Sequence, residues 1–293
     1  MTLRRKFRLK LRSRTLILGE RTLVMGVLNV TPDSFSDGGH YEDPEIAIAR
    51  ALAMEQEGAD LLDIGGESTR PGAEETSAAE ELDRILPVLE GLRGRLKIPI
   101  SVDTRRATVA EIALRAGAEM INDVSGLKND GRMAEVAAKS GVPLILMHMR
   151  GEPRTMQRGP FARAVMKDVA RGLRESVAKA RKAGVTKAQI ILDPGIGFGK
   201  SYAQNYELLE KLPQLAALGF PLLVGTSRKG FLGATLARDG KSAAPEERTW
   251  GTAATVTASI LGGAHLVRVH DVAEMVKVAR VADCVAYPPL RGR

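Results

Sequence analysis

The 293-residue sequence predicts a parallel (β/α)8 barrel of the TIM type: one α/β domain with a short N-terminal extension. Three observations carry this. Short apolar runs and helix-like stretches follow one another eight times along the chain. The apolar runs do not alternate with polar residues, as expected of strands covered on both faces. Each run ends in a polar loop, and in a barrel the residues just past the strands' C-terminal ends converge on one mouth. An open doubly wound sheet is the second choice, weakened because no Gly-x-Gly-x-x-Gly follows the first run.

In order along the chain, residues 1–20 precede the barrel and are expected to form a hairpin or strand pair closing its base; residues 21–293 form the barrel. Strands are expected near 24–28, 60–64, 98–102, 119–123, 143–148, 189–193, 221–225 and 265–269. Helices are expected over 44–57, 78–93, 106–116, 131–139, 161–183, 202–218, 246–261 and 271–286. Asp43-Pro44 offers a cap followed by proline at the first helical position. Gly58, Gly117, Gly141, Gly184 and Gly219 stand where helices should stop.

Composition narrows the function. Aromatic residues make up only 4%, so the core must be built from Val, Ile, Leu and Ala. The net charge of +8 comes without a base-reading motif, which favours an anionic small substrate over nucleic acid. The single cysteine, Cys284, excludes an internal disulfide and a multi-cysteine metal site; it reads as a small packing residue in the last helix. The apolar run Leu16-Ile17-Leu18 is too short for a signal core. The uncharged stretch Trp250 to His265 is broken by Gly, Ser and Thr and reads as a buried helix, core or interface, rather than a membrane span. A cytoplasmic location is the resulting expectation.

The strand ends carry the chemistry. They present Asn29, Asp63 to Gly72, Asp103, Asn122-Asp123, His148, Asp193 to Lys200, Ser227-Arg228-Lys229 and Arg268-Val269-His270-Asp271. Each has a plainer reading. Asp63 and Asp123 could satisfy backbone groups at the rim, Asp103 could cap the next helix, Lys229 could be a solvated lysine, and His270 could cap a turn. Convergence on one mouth favours function. Asp103, Asn122 and Asp193 form a donor–acceptor set suited to a flat nitrogen heterocycle. Asn29, Arg70, Arg268 and His270 form a separate cationic and carboxamide set suited to phosphate or pyrophosphate. The Asn29 carboxamide with phosphate oxygens also makes an acceptable Mg2+ shell. The Gly195–Gly199 turn lacks Walker spacing despite Gly199-Lys200-Ser201 and reads as a tight loop where a ligand approaches the backbone, with Phe198 free to pack on it.

Over roughly residues 20–287 the sequence resembles the dihydropteroate synthase family. The resemblance rests on Gly26 to Gly39, Asp63 to Gly72, Ser101-Val102-Asp103-Thr104, Ile121-Asn122-Asp123, Asp193 to Lys200, Ser227-Arg228-Lys229 and Arg268-Val269-His270-Asp271, found in that order. It implies a pterin-binding barrel that joins 6-hydroxymethyl-7,8-dihydropterin pyrophosphate to 4-aminobenzoate, with Mg2+, as a homodimer. It also implies that Asp103, Asn122, Asp193 and Lys229 hold the pterin, and that Asn29, Arg70, Arg268 and His270 hold pyrophosphate, with Asn29 on the metal. Phe35, Thr69, Pro71, Phe198 and Ser227, with Lys229, would frame 4-aminobenzoate; Asp103, Lys229, Arg268 and His270 would carry catalysis. Loops 30–40 and 66–77, rich in Gly, Ser, Asp and Thr, read as lids. Gly230 departs from the family pattern, where a larger or polar residue is expected. The alternative is a pterin-binding methyltransferase acting on methyltetrahydrofolate, which has no use for a pyrophosphate site.

Overall fold

A computed structural model describes residues 4–31, 44–68, 76–152, 155–156, 159 and 161–287. Phe35, Thr69, Arg70, Pro71 and most of the two loops read as lids lie outside the described residues. The chain opens with a hairpin of β1 (Phe7–Lys10) and β2 (Thr15–Leu18). The barrel strands follow: β3 (Leu23–Asn29), β4 (Leu61–Gly65), β5 (Ile100–Asp103), β6 (Met120–Asp123), β7 (Leu144–Met147), β8 (Ile190–Asp193), β9 (Leu223–Val224) and β10 (Leu266–Val269). All pair in parallel, in the order β8-β7-β6-β5-β4-β3-β10-β9. A parallel bridge between Leu192 and Leu222, with Leu192 N donating to Pro221 O at 3.0 Å, joins the two edges. The fold is therefore the (β/α)8 barrel the alternation predicts.

The helices lie between the strands: α1 (Pro44–Gln56), α2 (Ala78–Leu92), α3 (Ala107–Ala116), α4 (Met133–Ser140), α5 (Val165–Lys182), α6 (Tyr202–Glu210), α7 (Leu212–Ala216), α8 (Gly230–Thr235), α9 (Thr249–Leu261) and α10 (Val272–Ala286). Four details differ from expectation. The helix expected over 202–218 is two pieces that meet at Lys211, because Pro213 in the first turn of α7 has no N–H to continue the ladder. The helix expected from 246 starts as a 3-10 turn over Pro245–Arg248. Helix α8 is six residues long and holds two glycines, too short and too weak in propensity to show in the sequence. Cys284 is exposed on α10 rather than packed.

The strands do alternate, but with apolar residues on both faces at their lower ends. Val24, Leu62, Val102, Ile121, Leu144, Ile190 and Val267 face the helices in the large core. Met25, Leu61, Met120, Ile145, Ile191, Leu223 and Leu266 face inward and pack on one another. Side chains two residues on share the same face. One step toward the mouth, the inward positions become Asp63, Asn122, Met147, Asp193 and Arg268. The site is thus the polar continuation of an apolar barrel interior.

The hairpin closes the other end. Leu9, Leu11 and Leu18 are buried beneath the inward layer. Arg4 fixes the strand-leading segment to α10 through Asp283, at 2.8 Å, and Asp283 also accepts from Thr22 N at 2.6 Å. Truncating a leucine here opens a cavity under the barrel. Leu9→Ala is expected to cost about 2–5 kcal/mol in urea unfolding. A loss under about 1 kcal/mol would show that the hairpin does not plug the base.

Candidate active site

The centre of the mouth is a buried ion network on four strands. Asp63, at the middle of β4, is fully buried. Its Oδ2 accepts from Asn122 Nδ2 on β6 at 2.8 Å and from Arg268 Nε on β10 at 2.6 Å. Arg268 Nη2 donates to Asp103 Oδ2, at the end of β5, at 2.7 Å. Register explains the grouping: Asp103 pairs with Asn122 on one side and with Gly65 on the other. The planar guanidinium fork reaches two carboxylates at once, a geometry a lysine ammonium lacks. Asp63 Oδ1 and Asn122 Oδ1 remain buried without a hydrogen-bond partner among the described residues.

The titrating groups are tuned toward neutrality. Burial pushes the Asp103 carboxyl up to about 8 against the pull of Arg268, with Asp63 adding to the rise. Burial raises Asp193 to about 6, opposed by the Gly195 N–H at 2.6 Å and by Lys229. Burial, aided by Arg268, lowers Lys229 to about 8, while Asp193 and Asp103 hold it up. A ligand that donates N–H groups to these carboxyls stabilises their ionised forms and draws them back down. The Lys229 ammonium sits 4.0 Å from the centroid of the Phe198 ring, a cation–π contact.

His270 is neutral. Burial, with Arg268 and Arg228 nearby, lowers it to about 3. Ser227 Oγ accepts from the His270 backbone N–H at 3.1 Å and lies 3.0 Å from Nδ1. A hydroxyl can donate to an unprotonated Nδ1 or accept from a protonated one, so Ser227 serves either tautomer of the ring. In the ligand-free protein the ring therefore favours its neutral form, which carries one N–H donor and no fixed charge. The expected separation into a heterocycle set and an anion set is corrected: Arg268 is bonded to both Asp63 and Asp103, so it joins the two halves.

Other strand-end residues fall to either side. Asn29 is half-buried at the end of β3. Asp123 accepts from Ser125 N and Leu127 N, both at 2.8 Å, and serves the backbone. Asp103 caps nothing: the first amide of α3, on Ala107, is met by Asp130 Oδ2 at 3.0 Å. The sequence alone does not distinguish Asp63 from a rim residue and gives Arg228 no role. Arg228 adopts φ +58, a left-handed backbone rare for any residue but glycine. It is held there by an ion pair with Asp271, by Thr252 Oγ1 on its N–H at 3.2 Å and by Arg248 Nη1 on its carbonyl at 2.8 Å. This turn aims Ser227 and Lys229 at the mouth; the Ser-Arg-Lys motif named the segment but not the strain.

The raised Asp193 carboxyl has a thermodynamic consequence. From its ordinary 3.8 up to about 6, the folded chain holds a proton that the unfolded chain has shed. Stability of the free protein therefore falls as pH rises through that window. Asp193→Asn is expected to remove that part of the slope in urea melts taken from about pH 4 to about pH 7. An unchanged slope would contradict the burial of this carboxyl.

Comparison with known proteins agrees with the geometry. A family described as "Pterin binding enzyme" matches residues 25–270. A dihydropteroate synthase of Synechocystis sp. is 51% identical over 267 residues, 91% of each chain. A Xanthomonas albilineans dihydropteroate synthase solved with 4-aminobenzoic acid superposes with a TM-score of 0.89 at 44% identity, covering 97% of this chain and 100% of that one. The same organism's enzyme in complex with 7,8-dihydropteroate gives 0.85 at 42% identity, covering 96% and 100%. The chain belongs to the dihydropteroate synthase family of pterin-binding enzymes, transferases of alkyl groups other than methyl.

Proposed function

We propose that this protein condenses 6-hydroxymethyl-7,8-dihydropterin pyrophosphate with 4-aminobenzoate to give 7,8-dihydropteroate and pyrophosphate. One observation carries the reading: among the described residues, Asp63 Oδ1 and Asn122 Oδ1 are buried acceptors without partners, beside a carboxyl, Asp103, raised to about 8. Buried acceptors demand donors. A flat bicyclic ring with N–H edges supplies them, and Asp103, Asn122, Asp193 and Lys229 are its proposed partners. Asn29, Arg70, Arg268 and His270 would receive the pyrophosphate. Phe35, Thr69, Pro71, Phe198 and Ser227 would border the aminobenzoate.

The chemistry follows from this placement. The C–O bond to pyrophosphate breaks and its electron pair leaves with the phosphate, whose growing charge Arg268 and His270 meet. The pterin methylene gains positive charge, which Asp103, ionised by the N–H groups of the bound ring, stabilises through space. The aniline nitrogen forms the C–N bond and one of its protons is released. No protein nucleophile takes part.

For Mg2+, the donor set fits a lightly held ion. Among the described residues no three acidic, histidine or cysteine side chains gather to bind a metal. The Asn29 amide oxygen with pyrophosphate oxygens and water is the kind of shell Mg2+ accepts. Bound there, the ion would neutralise charge on the leaving group.

We place the protein in the cytoplasm as a homodimer. Among the described residues no helix is long and apolar enough to cross a membrane. Trp250 is 82% exposed on α9, and Val281 and Val285 are exposed on the neighbouring α10. Exposed apolar side chains on two packed helices fit contact with a second copy of the chain. The stretch from Trp250 therefore begins at the surface, while Val256 and Ile260 of the same helix are buried.

Pyrophosphate release is expected only when both the pterin pyrophosphate and 4-aminobenzoate are supplied. Asp103→Asn should lower kcat by about 10²–10³-fold in that assay; unchanged turnover would remove Asp103 from the mechanism. Asn29→Ala should raise the Mg2+ concentration giving half-maximal rate by about tenfold, and an unaltered Mg2+ requirement would free Asn29 of the metal.

A further inference from the structure

The Lys200 ammonium has no part in the reaction above, yet it is among the most deeply buried groups of the molecule. Lys200 is 1% exposed and stands in the loop between β8 and α6. Its Nζ donates to Gly195 O at 2.8 Å, Phe198 O at 2.9 Å and His148 O at 3.2 Å. Those are carbonyls, not carboxylates, and they use all three N–H donors of the ammonium. Burying a charge without an ionic partner costs several kcal/mol. Burial correspondingly lowers this lysine to about 7.

The cost is carried where the loop after β8 lies against the loop after β7. Gly195 and Gly199 have φ of +65 and +64. A Cβ on either would stand 2.0 Å from a carbonyl oxygen, that of His148 or of Arg150. The close approach turns three carbonyl oxygens toward one point, where they would repel without a cation between them. The same turn is held by Gly197 N–H to Asn205 Oδ1 at 2.7 Å and by Phe198 N–H to Gly195 O at 3.1 Å. Helix α6 is fixed at its start by the reciprocal Ser201–Gln204 cap. The turn's output is the Phe198 ring, with the Lys229 ammonium 4.0 Å away. Gly197 leaves room for the Lys229 stem, whose Cδ would be 3.0 Å from a Cβ there.

We infer that Lys200 is a positioning residue for the second-substrate subsite: its ammonium closes the Gly195–Gly199 turn on three carbonyl oxygens and so holds the Phe198 ring against Lys229, setting how tightly the aromatic amine binds. The inference rests on the reading that Phe198 borders 4-aminobenzoate. Lys200 itself touches neither substrate nor reacting atoms.

A double-mutant cycle separates the two claims. Lys200→Met keeps the bulk and removes the donors. It is expected to raise KM for 4-aminobenzoate about tenfold while kcat stays within about threefold. Phe198→Ala should raise the same KM, and the double variant should be no worse than the larger single. Hydrogen exchange at the amides of 195–199 should quicken in Lys200→Met while β7 and β8 keep their protection. An unchanged KM in Lys200→Met beside a raised KM in Phe198→Ala would overturn the role of Lys200 and leave the subsite reading standing. An unchanged KM in Phe198→Ala would overturn the subsite reading and this inference with it. Additive losses, or a lowered melting temperature with normal KM, would also overturn it. If Lys200→Met does not fold, Lys200→Gln, which keeps two donors, replaces it. An intermediate rise in KM is then expected, and a normal KM contradicts the inference.

Discussion

A guanidinium between a buried carboxylate, Asp63, and a half-buried one, Asp103, organises the mouth of this barrel. Arg268 holds Asp63 and Asp103 on strands that enter the chain some 40 residues apart and lie on its other side from β10 in sequence, though near it in space. Without that cation the two acids would face each other in a dry interior. Removing one member of such a group costs about 3–5 kcal/mol, mostly from the charge left behind. The same dryness raises Asp103 and lowers Lys229 toward a common range near neutrality. The network is therefore both what the fold must tolerate and what gives the site its chemistry. The oxygens of Asp63 and Asn122 that find no partner among the described residues mark where the tolerance is incomplete and a ligand is expected.

Precision at this site comes from strands rather than loops. Asp63, Asn122, Asp193 and Arg268 each lie two residues above an apolar inward neighbour: Leu61, Met120, Ile191 and Leu266. Their directions are thus set by the pleat and by the packed layer beneath them, which the hairpin closes from below. Side chains on such rigid elements keep their geometry better than those on free loops. Where loops do contribute, they are tied down. Arg228 is pinned by Asp271, Thr252 and Arg248, and the Gly195–Gly199 turn is pinned by Lys200.

Much of this was legible in the sequence. Strand–helix alternation gave the barrel, and polar residues at the strand ends gave Asp103, Asn122, Asp193, Lys229, Arg268 and His270. Other features were hidden for physical reasons. The inward alternation was invisible because both faces of most strands are apolar until the last step before the mouth. Asp63 looked like a rim residue because nothing local says which partners a buried carboxylate finds across the barrel. The neutral form of His270 in the free protein was hidden because it depends on burial and on nearby Arg268. Lys200 read as the end of a failed phosphate loop because its three carbonyl partners come together only in the folded turn. Cys284 reads as packed, and the Trp250 helix as either core or interface, because helix faces are assigned by packing, which composition does not reveal.

The central claim is that Asp103, Asn122, Asp193 and Lys229 line one cavity that grips a single flat bicyclic ring. A crystal structure of the protein grown with 7,8-dihydropteroate tests it most directly. The account predicts the ring lying across these strand ends, its N–H edges within hydrogen-bond distance of Asp103, Asn122 and Asp193, with Lys229 beside it. A ring bound elsewhere, with those side chains still paired only to one another, would contradict it.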